Sequence, residues 1–342
     1  MKYLLLLLVG LCAVGGYTYA EPVRIVSYNV ENLFHPKHDS VWTDSSWVEK
    51  DDWEWTPEGD RYWSYTRYYR KVENIARVLT NIGEWDGVDI VGLQEIENAL
   101  CVKRLCRTLR KGEYDFVHYE SPDPRGIDVA LVYRKTRVDT ITCRAIRVQN
   151  TDPSADRFLT RDILYVSARV DKRDTLHLFV CHLPSQRGGT AESEWKRTAA
   201  KQVLQEAIDS VYAICPDAKI IVMGDMNSEP KEDLRGLKNR MIAESKKSGI
   251  ERQRGTHKYH GQWSYLDQFY VSPAIDSLCT VDIYDAEWIQ EEDEQYMGLK
   301  PKRTYHGYHY RNGYSDHLPI VMRLKDERVK ELKGERVRGL KD

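Results

Sequence analysis

A chain of 342 residues with 41% apolar and 30% charged residues has globular composition and enough apolar material for a substantial core. Its formal net charge of −2 excludes the strongly basic footprint of a protein that coats nucleic acid without selectivity. Contact with a polyanion must therefore come from a local patch or from a bound cation.

The first twenty residues read as a signal peptide. Lys2 supplies the positive start, residues 4–9 form an unbroken apolar run, and Thr18-Tyr19-Ala20 puts small residues at positions −3 and −1 of a cleavage site. The run is shorter than the roughly 20 apolar residues that span a bilayer. Leu11 before Cys12 is too large for a lipobox, so export to the periplasm or the medium is expected without a lipid anchor. Export permits disulfides. Cys101, Cys106, Cys143, Cys181, Cys215 and Cys279 nevertheless lack CxxC or metal-ligand spacing, and buried free thiols are the expectation.

Along the mature chain, residues 23–28, 88–93, 127–133, 163–170, 176–181, 220–223 and 318–324 read as strands. Several are nearly continuous in Val, Ile and Leu, which suggests cover on both faces. Val72, Ile75, Ala76, Leu79 and Ile82 recur at helical spacing, as do Trp195, Ala199, Leu204, Ile208 and Val211. Such stripes belong to helices that cover a sheet. Residues 41–69 hold Trp42, Trp47, Trp53, Trp55 and Trp63 among acids and read as a long decorated loop, too polar for core. No linker or fixed-period repeat divides the chain. One α/β domain over residues 21–325 is expected, followed by a charged tail, 326–342.

The polar residues that stand out share a position. Asn29 and Glu31, Gln94 and Glu95, His182, then Asp225 and Asn227 each follow an apolar strand, while Asp316 and His317 precede one. Asp and Asn are ordinary turn residues, but several such clusters rich in Asp, Glu, Asn and His point to one site at the rim of a sheet. Carboxylates and amides without cysteine suit a hard cation such as magnesium, manganese or calcium. HExxH zinc spacing is absent. A hard cation beside Asp and His is equipment for attack on phosphorus, with Asp activating water and a protonated His donating to the phosphate. His257 and His260 in "GTHKYHGQW" read as surface or loop. The Gly-rich run 186–190 lacks the Walker lysine but precedes a helix and could cradle an anion.

Together the segments "SYNVENLF", "GLQEIEN", "RGIDVALVYR", "CHLPSQRGG", "GDMNSEP", "LDQF" and "SDHLPI" resemble the endonuclease/exonuclease/phosphatase superfamily, in that family's order, from about residue 23 to 324. That group includes pancreatic deoxyribonuclease, abasic-site nucleases, neutral sphingomyelinases and inositol polyphosphate 5-phosphatases. The resemblance looks strongest to exported bacterial members. It implies an α/β (α+β) four-layer sandwich of two face-to-face mixed β-sheets flanked by helices. It also implies roles: Glu95, Asn29 and Asp316 at the metal, Asp225 aligning water, Asn227 and His317 on phosphate, and Asp267 as carboxylate partner of His317. His182 is similar to the second histidine of the deoxyribonuclease and sphingomyelinase branches, with Glu120 as its weaker-matched partner.

The function implied is a metal-dependent phosphoric ester hydrolase, most simply a nuclease, with Arg125 and Arg187 as candidate phosphate contacts. The alternative is a phosphodiesterase or phosphatase acting on lipid head groups or small phosphate esters. No stable protein partner is implied, and a monomer is expected. One position departs from pancreatic deoxyribonuclease: Glu97 stands where that enzyme carries a minor-groove arginine, and an acid there would repel duplex DNA.

Overall fold

The computed structural model describes residues 21–43, 46–110, 112–149, 158–172, 174–186, 189–230, 234, 236–241 and 255–326. The expected signal peptide, Arg187 and nearly all of the charged tail lie outside the described residues.

Two six-stranded sheets carry the fold. In chain order their strands are β1 (Val23–Leu33), β2 (Ile90–Ile96), β3 (Tyr114–His118), β4 (Asp128–Arg134), β5 (Val138–Ile146) and β6 (Ile163–Val170). There follow β7 (Asp174–His182), β8 (Lys219–Asp225), β9 (Lys238–Asn239), β10 (Asp267–Val271), β11 (Cys279–Ile283) and β12 (Ile320–Leu324). The first sheet runs β11-β12-β1-β2-β4-β3 and the second β9-β10-β8-β7-β6-β5. Each is mixed, because β1 pairs in parallel with β2, and β8 with β7, among antiparallel neighbours.

The continuous apolar runs have a simple cause: alternate residues face different cores. Ile25, Ile90 and Leu131 of the first sheet meet Leu178, Ile221 and Phe269 of the second between the sheets. Val26, Tyr28 and Val30 face outward onto Val72, Ile75 and Leu79 of α1 (Tyr65–Gly83) and Val102 and Leu105 of α2 (Ala99–Leu109). Ile220 and Val222 face Leu204 and Ile208 of α3 (Thr190–Ile214). The result is the expected four-layer sandwich. Asn98 caps α2 by accepting from Leu100 N at 3.0 Å and Cys101 N at 3.2 Å, so the chain turns into a helix just after β2.

The aromatic segment differs from its reading as a loop. Residues Ser40–Thr43 and Ser46–Glu49 pair as an antiparallel hairpin, and α1 begins at Tyr65. Trp55 and Trp63 are buried in the helix-covered core, where Trp55 stacks on Phe34 at 5.0 Å and Trp63 Nε1 donates to Phe34 O at 2.8 Å. The acids between them made average polarity a poor guide to the tryptophans themselves. Among the described residues the cysteines are free; Cys101, Cys106, Cys181 and Cys279 are buried as expected, whereas Cys215 is exposed. No described helix is long and apolar enough to cross a membrane.

Local irregularities aim the strand ends. The β2–β4 register slips between Gln94 and Ile96, and Glu95, at φ 66°, is the extra residue of that bulge. At the end of β8, Gly224 has φ 143° and lies opposite Cys181 of β7; a Cβ there would stand 1.9 Å from Cys181 O. Only glycine lets β8 approach β7 closely enough to present Asp225. Gly224→Ala is therefore expected to cost about 2 kcal/mol or more of stability. Urea denaturation of the variant against the wild-type chain measures it.

Candidate active site

The two sheets end at a common rim. Pairing across the second sheet sets His182, Asp225 and Asp267 side by side on three adjacent strands. From the first sheet come Asn29 on β1, Glu95 on the β2 bulge and His317 just before β12. Asn29 Nδ2 joins the sheets, donating to Asp225 Oδ2 at 3.1 Å with Glu95 Oε1 at 3.5 Å. Its Oδ1 accepts from Glu31 N at 3.1 Å. Asn29 is thus a donor to two carboxylates, with its oxygen accepting from the backbone.

Asp225 is buried between two imidazoles. His182 Nε2 stands 3.6 Å and His317 Nε2 3.9 Å from its Oδ2, while Oδ1 accepts from Asn227 N at 2.8 Å. Burial pushes the Asp225 pKa up to about 7 against the lowering effect of His317. His317 Nδ1 pairs with buried Asp267 Oδ2 at 2.7 Å. Burial opposes charge on His317, but Asp267 and Asp225 outweigh it and hold its pKa well above the ordinary value. Ser315 locks that loop: its Oγ donates to Asn29 O at 2.7 Å and accepts from His317 N at 3.0 Å.

His182 is of the opposite kind. Burial, with Arg161, Arg125 and His317 adding to it, lowers its pKa well below the ordinary value, so the ring is neutral. Its Nδ1 has no hydrogen-bond partner among the described residues. The expected pair with Glu120 does not form. Glu120 instead accepts from Lys50 Nζ at 2.8 Å and neighbours His118 and Asp128, and a buried lysine captures the carboxylate first. Arg161 Nε donates to His182 O at 3.2 Å and its NH1 to Asp123 at 2.8 Å, which fixes the strand end. Asn227, at φ 47°, sends Nδ2 to Leu183 O at 2.9 Å. Arg125, half-buried, lies 3.6 Å from Asp123 Oδ1 and close enough to His182 to influence it.

Sequence reasoning missed several members. His257, read as loop, forms a backbone bridge with His317, and the two rings are 4.8 Å apart. Burial and the charge of His317 lower its pKa to about 4. Arg303 ties Glu31 Oε1 at 3.2 Å to Asp316 Oδ2 at 3.0 Å. Lys71, wholly buried, bonds Thr304 Oγ1 and Tyr314 O and lies 3.9 Å from Glu31 Oε2; burial lowers its pKa to about 8. Burial would raise the Asp316 pKa, yet Arg303, His317 and His257 bring it to about 2, so this carboxylate stays ionised.

The donors fit a hard divalent cation. Glu95 is half-buried, and its bulged backbone turns the carboxylate into the rim, where Oε2 accepts from Asn32 N at 2.8 Å. Asp316, half-buried and ionised, adds a second carboxylate, and no cysteine takes part. One or two carboxylates completed by water and a substrate phosphate are typical of magnesium. Two groups among the described residues have metal-ligand spacing: His257, Asp316 and His317 at this rim, where Arg303 also pairs with Asp316, and His118, Glu120 and Asp128, where Lys50 pairs with Glu120.

Residues 24–326 match the model of the Endonuclease/Exonuclease/phosphatase family. The chain belongs to this family, whose members are divalent-metal-dependent phosphoric ester hydrolases. Among solved structures, truncated TDP2 of Caenorhabditis elegans is 16% identical with a TM-score of 0.54, covering 89% of this chain and 98% of that one. A mannosyl-6-phosphatase of Bacteroides thetaiotaomicron is 16% identical with a TM-score of 0.53, covering 89% and 100%. The human Nocturnin catalytic domain, with bound sulfate, is 15% identical with a TM-score of 0.53, covering 89% and 93%. At such identities the likeness is one of fold. No curated protein matches the chain by sequence.

Glu97 departs from its reading as a phosphate-repelling surface acid. It is wholly buried and accepts from His35 N at 2.5 Å. Burial raises its pKa to about 9 against the effect of His35 N–H and Lys50. Between the ordinary value of 4.5 and about 9, the folded chain keeps a proton that the unfolded chain has lost, so this group's contribution to stability falls as pH rises. Glu97→Gln keeps an acceptor for His35 N–H and removes that dependence. The variant should match the wild-type chain near pH 5 and exceed it towards pH 9, by on the order of 1 kcal/mol or more in urea denaturation.

Proposed function

We propose that this chain is an exported nuclease that hydrolyses phosphodiester bonds, and the observation that carries this reading is the buried Asp225 carboxylate set between His182 and His317, 3.6 and 3.9 Å away. An acid poised near pH 7 is suited to take a proton from water. In the proposed reaction the water oxygen bonds phosphorus as its proton passes to Asp225, the bond from phosphorus to the ester oxygen breaks, and that oxygen leaves as an alcohol with a proton from solvent. His317, kept as imidazolium by Asp267, donates to the phosphate as negative charge builds. His182, neutral, supplies a further hydrogen bond, and the second amide N–H of Asn227 is directed to a phosphate oxygen. Glu95 and Asp316 would hold the divalent ion, with magnesium the best match to an all-oxygen set. Bound there, the ion polarises a phosphoryl oxygen and offsets developing charge.

Three further points support nucleic acid over lipid head groups or small phosphate esters. The segments "RGIDVALVYR" and "HLPSQRGG" resemble those of exported bacterial nucleases, and residues 1–20 have the form of a secretory leader. Burial of Glu97 removes the one sequence argument against duplex DNA. Arg125 beside His182 is the proposed phosphate contact within the described residues, and Arg187, outside them, stays a candidate from the sequence.

A panel of plasmid DNA, single-stranded DNA, RNA, phospholipids and phosphate monoesters, each with magnesium or chelator, tests the reading. Magnesium-dependent loss of nucleic acid is expected; release of phosphocholine or phosphate with every nucleic acid intact overturns it. Asp225→Asn should lower kcat by about 10³-fold. Asp267→Asn should lower it by about tenfold or more and move the alkaline limb of the pH profile to lower pH, because His317 loses the partner that keeps it charged.

A further inference from the structure

We propose that Tyr259, His260 and Tyr296 form a stacking platform for a nucleobase next to the phosphate under attack. The proposal rests on the nuclease reading and names the part of the substrate that this surface recognises.

The platform is tied to the catalytic rim by backbone. Residues His257–Tyr259 and Gln262–Ser264 form a hairpin whose first residue bridges to His317, ring beside ring at 4.8 Å. Strand alternation puts Tyr259 on the same face as His257. At about 3.3 Å per residue, Tyr259 lies roughly 7 Å along the hairpin, the reach of a neighbouring nucleotide rather than of the scissile phosphate itself.

The rings there are ordered as a stack. Tyr259 and His260 have centroids 4.0 Å apart and planes 12° apart; His260 and Tyr296 are 5.8 Å and 28° apart. His260 occupies the middle, and Tyr259, 66% exposed, ends the array. None of the three rings belongs to the apolar cores. Surface aromatics that merely pack on each other need no anchoring, but these are anchored. Lys258, on the opposite face, places its buried ammonium 2.8 Å from buried Asp293 and donates to Met297 O at 2.8 Å. Gly261, at φ +79°, lets Tyr296 come close; a Cβ there would stand 2.9 Å from Tyr296 Cβ. A flat array held rigid before binding loses little entropy when a further flat ring joins it. Every base offers a π-face, so such a platform favours nucleic acid without selecting sequence.

The test uses the wild-type chain, Tyr259→Ala and Tyr259→Phe. The probe is an oligothymidylate carrying 2-aminopurine beside the cleaved linkage, and a matched oligonucleotide with an abasic residue in its place. Tyr259→Ala should raise KM for the base-containing oligonucleotide about tenfold while kcat falls far less, and should abolish the quenching of 2-aminopurine on binding. Tyr259→Phe should restore both, and the abasic oligonucleotide should be insensitive to either substitution. Asp225-dependent cleavage with unchanged KM and quenching in Tyr259→Ala overturns the platform and leaves the nuclease reading standing. A wild-type chain that neither binds nor cleaves the oligonucleotide overturns both.

Discussion

Asn29 sends one amide nitrogen to Asp225 on the second sheet and towards Glu95 on the first, at 3.1 and 3.5 Å. Those two carboxylates have unlike tasks in the proposed chemistry, and this bridge sets the distance between them. It works only if both sheets end at the same height. The bulge at Glu95, the close approach allowed by Gly224 and the Ser315 bond to Asn29 O all serve that alignment. The irregularities at Glu95 and Gly224 fall at the rim, where an undistorted ladder would direct these side chains elsewhere.

Alignment of this kind brings acids together in a dry place, and the remaining charge pattern answers that problem. Asp267 is matched by His317, while Glu31 and Asp316 share Arg303, with Lys71 beneath them. Asp225 faces a neutral histidine on one side and a shared imidazolium on the other, without the arginine that Asp316 has. Its carboxyl is consequently the one carried to about 7, whereas Asp316 falls to about 2. Burial raises the proton affinity of both aspartates, and only at Asp316 do the cationic neighbours, Arg303 first, reverse it.

Much of this was legible in the sequence because strand ends are local. The runs before Asn29, Glu95, His182 and Asp225 announced both the strands and the polar residues that terminate them. The pairing of Asp267 with His317 needed the family resemblance, since the two are fifty positions apart and meet only through β10 and β12. His257 was passed over because its importance depends on an isolated bridge that no periodicity reveals. Arg303 lay within a conspicuously basic stretch before Asp316, a signal that could have been used. Glu97 and Glu120 were misread for one reason: sequence gives an acid its position along a strand but not the buried lysine or backbone N–H that it meets. Trp55 and Trp63 show the same limit for apolar groups, since composition averaged over a segment hid two core residues.

The central claim is a division of labour, with Glu95 on the cation and Asp225 on water. Manganese binding measured by calorimetry on Glu95→Gln and Asp225→Asn tests it without reference to turnover. The account predicts that Glu95→Gln weakens binding by about tenfold or more, while Asp225→Asn leaves it within about threefold, because a hard cation depends chiefly on the carboxylate that ligates it. Equal loss in both variants, or a larger loss in Asp225→Asn, would contradict it.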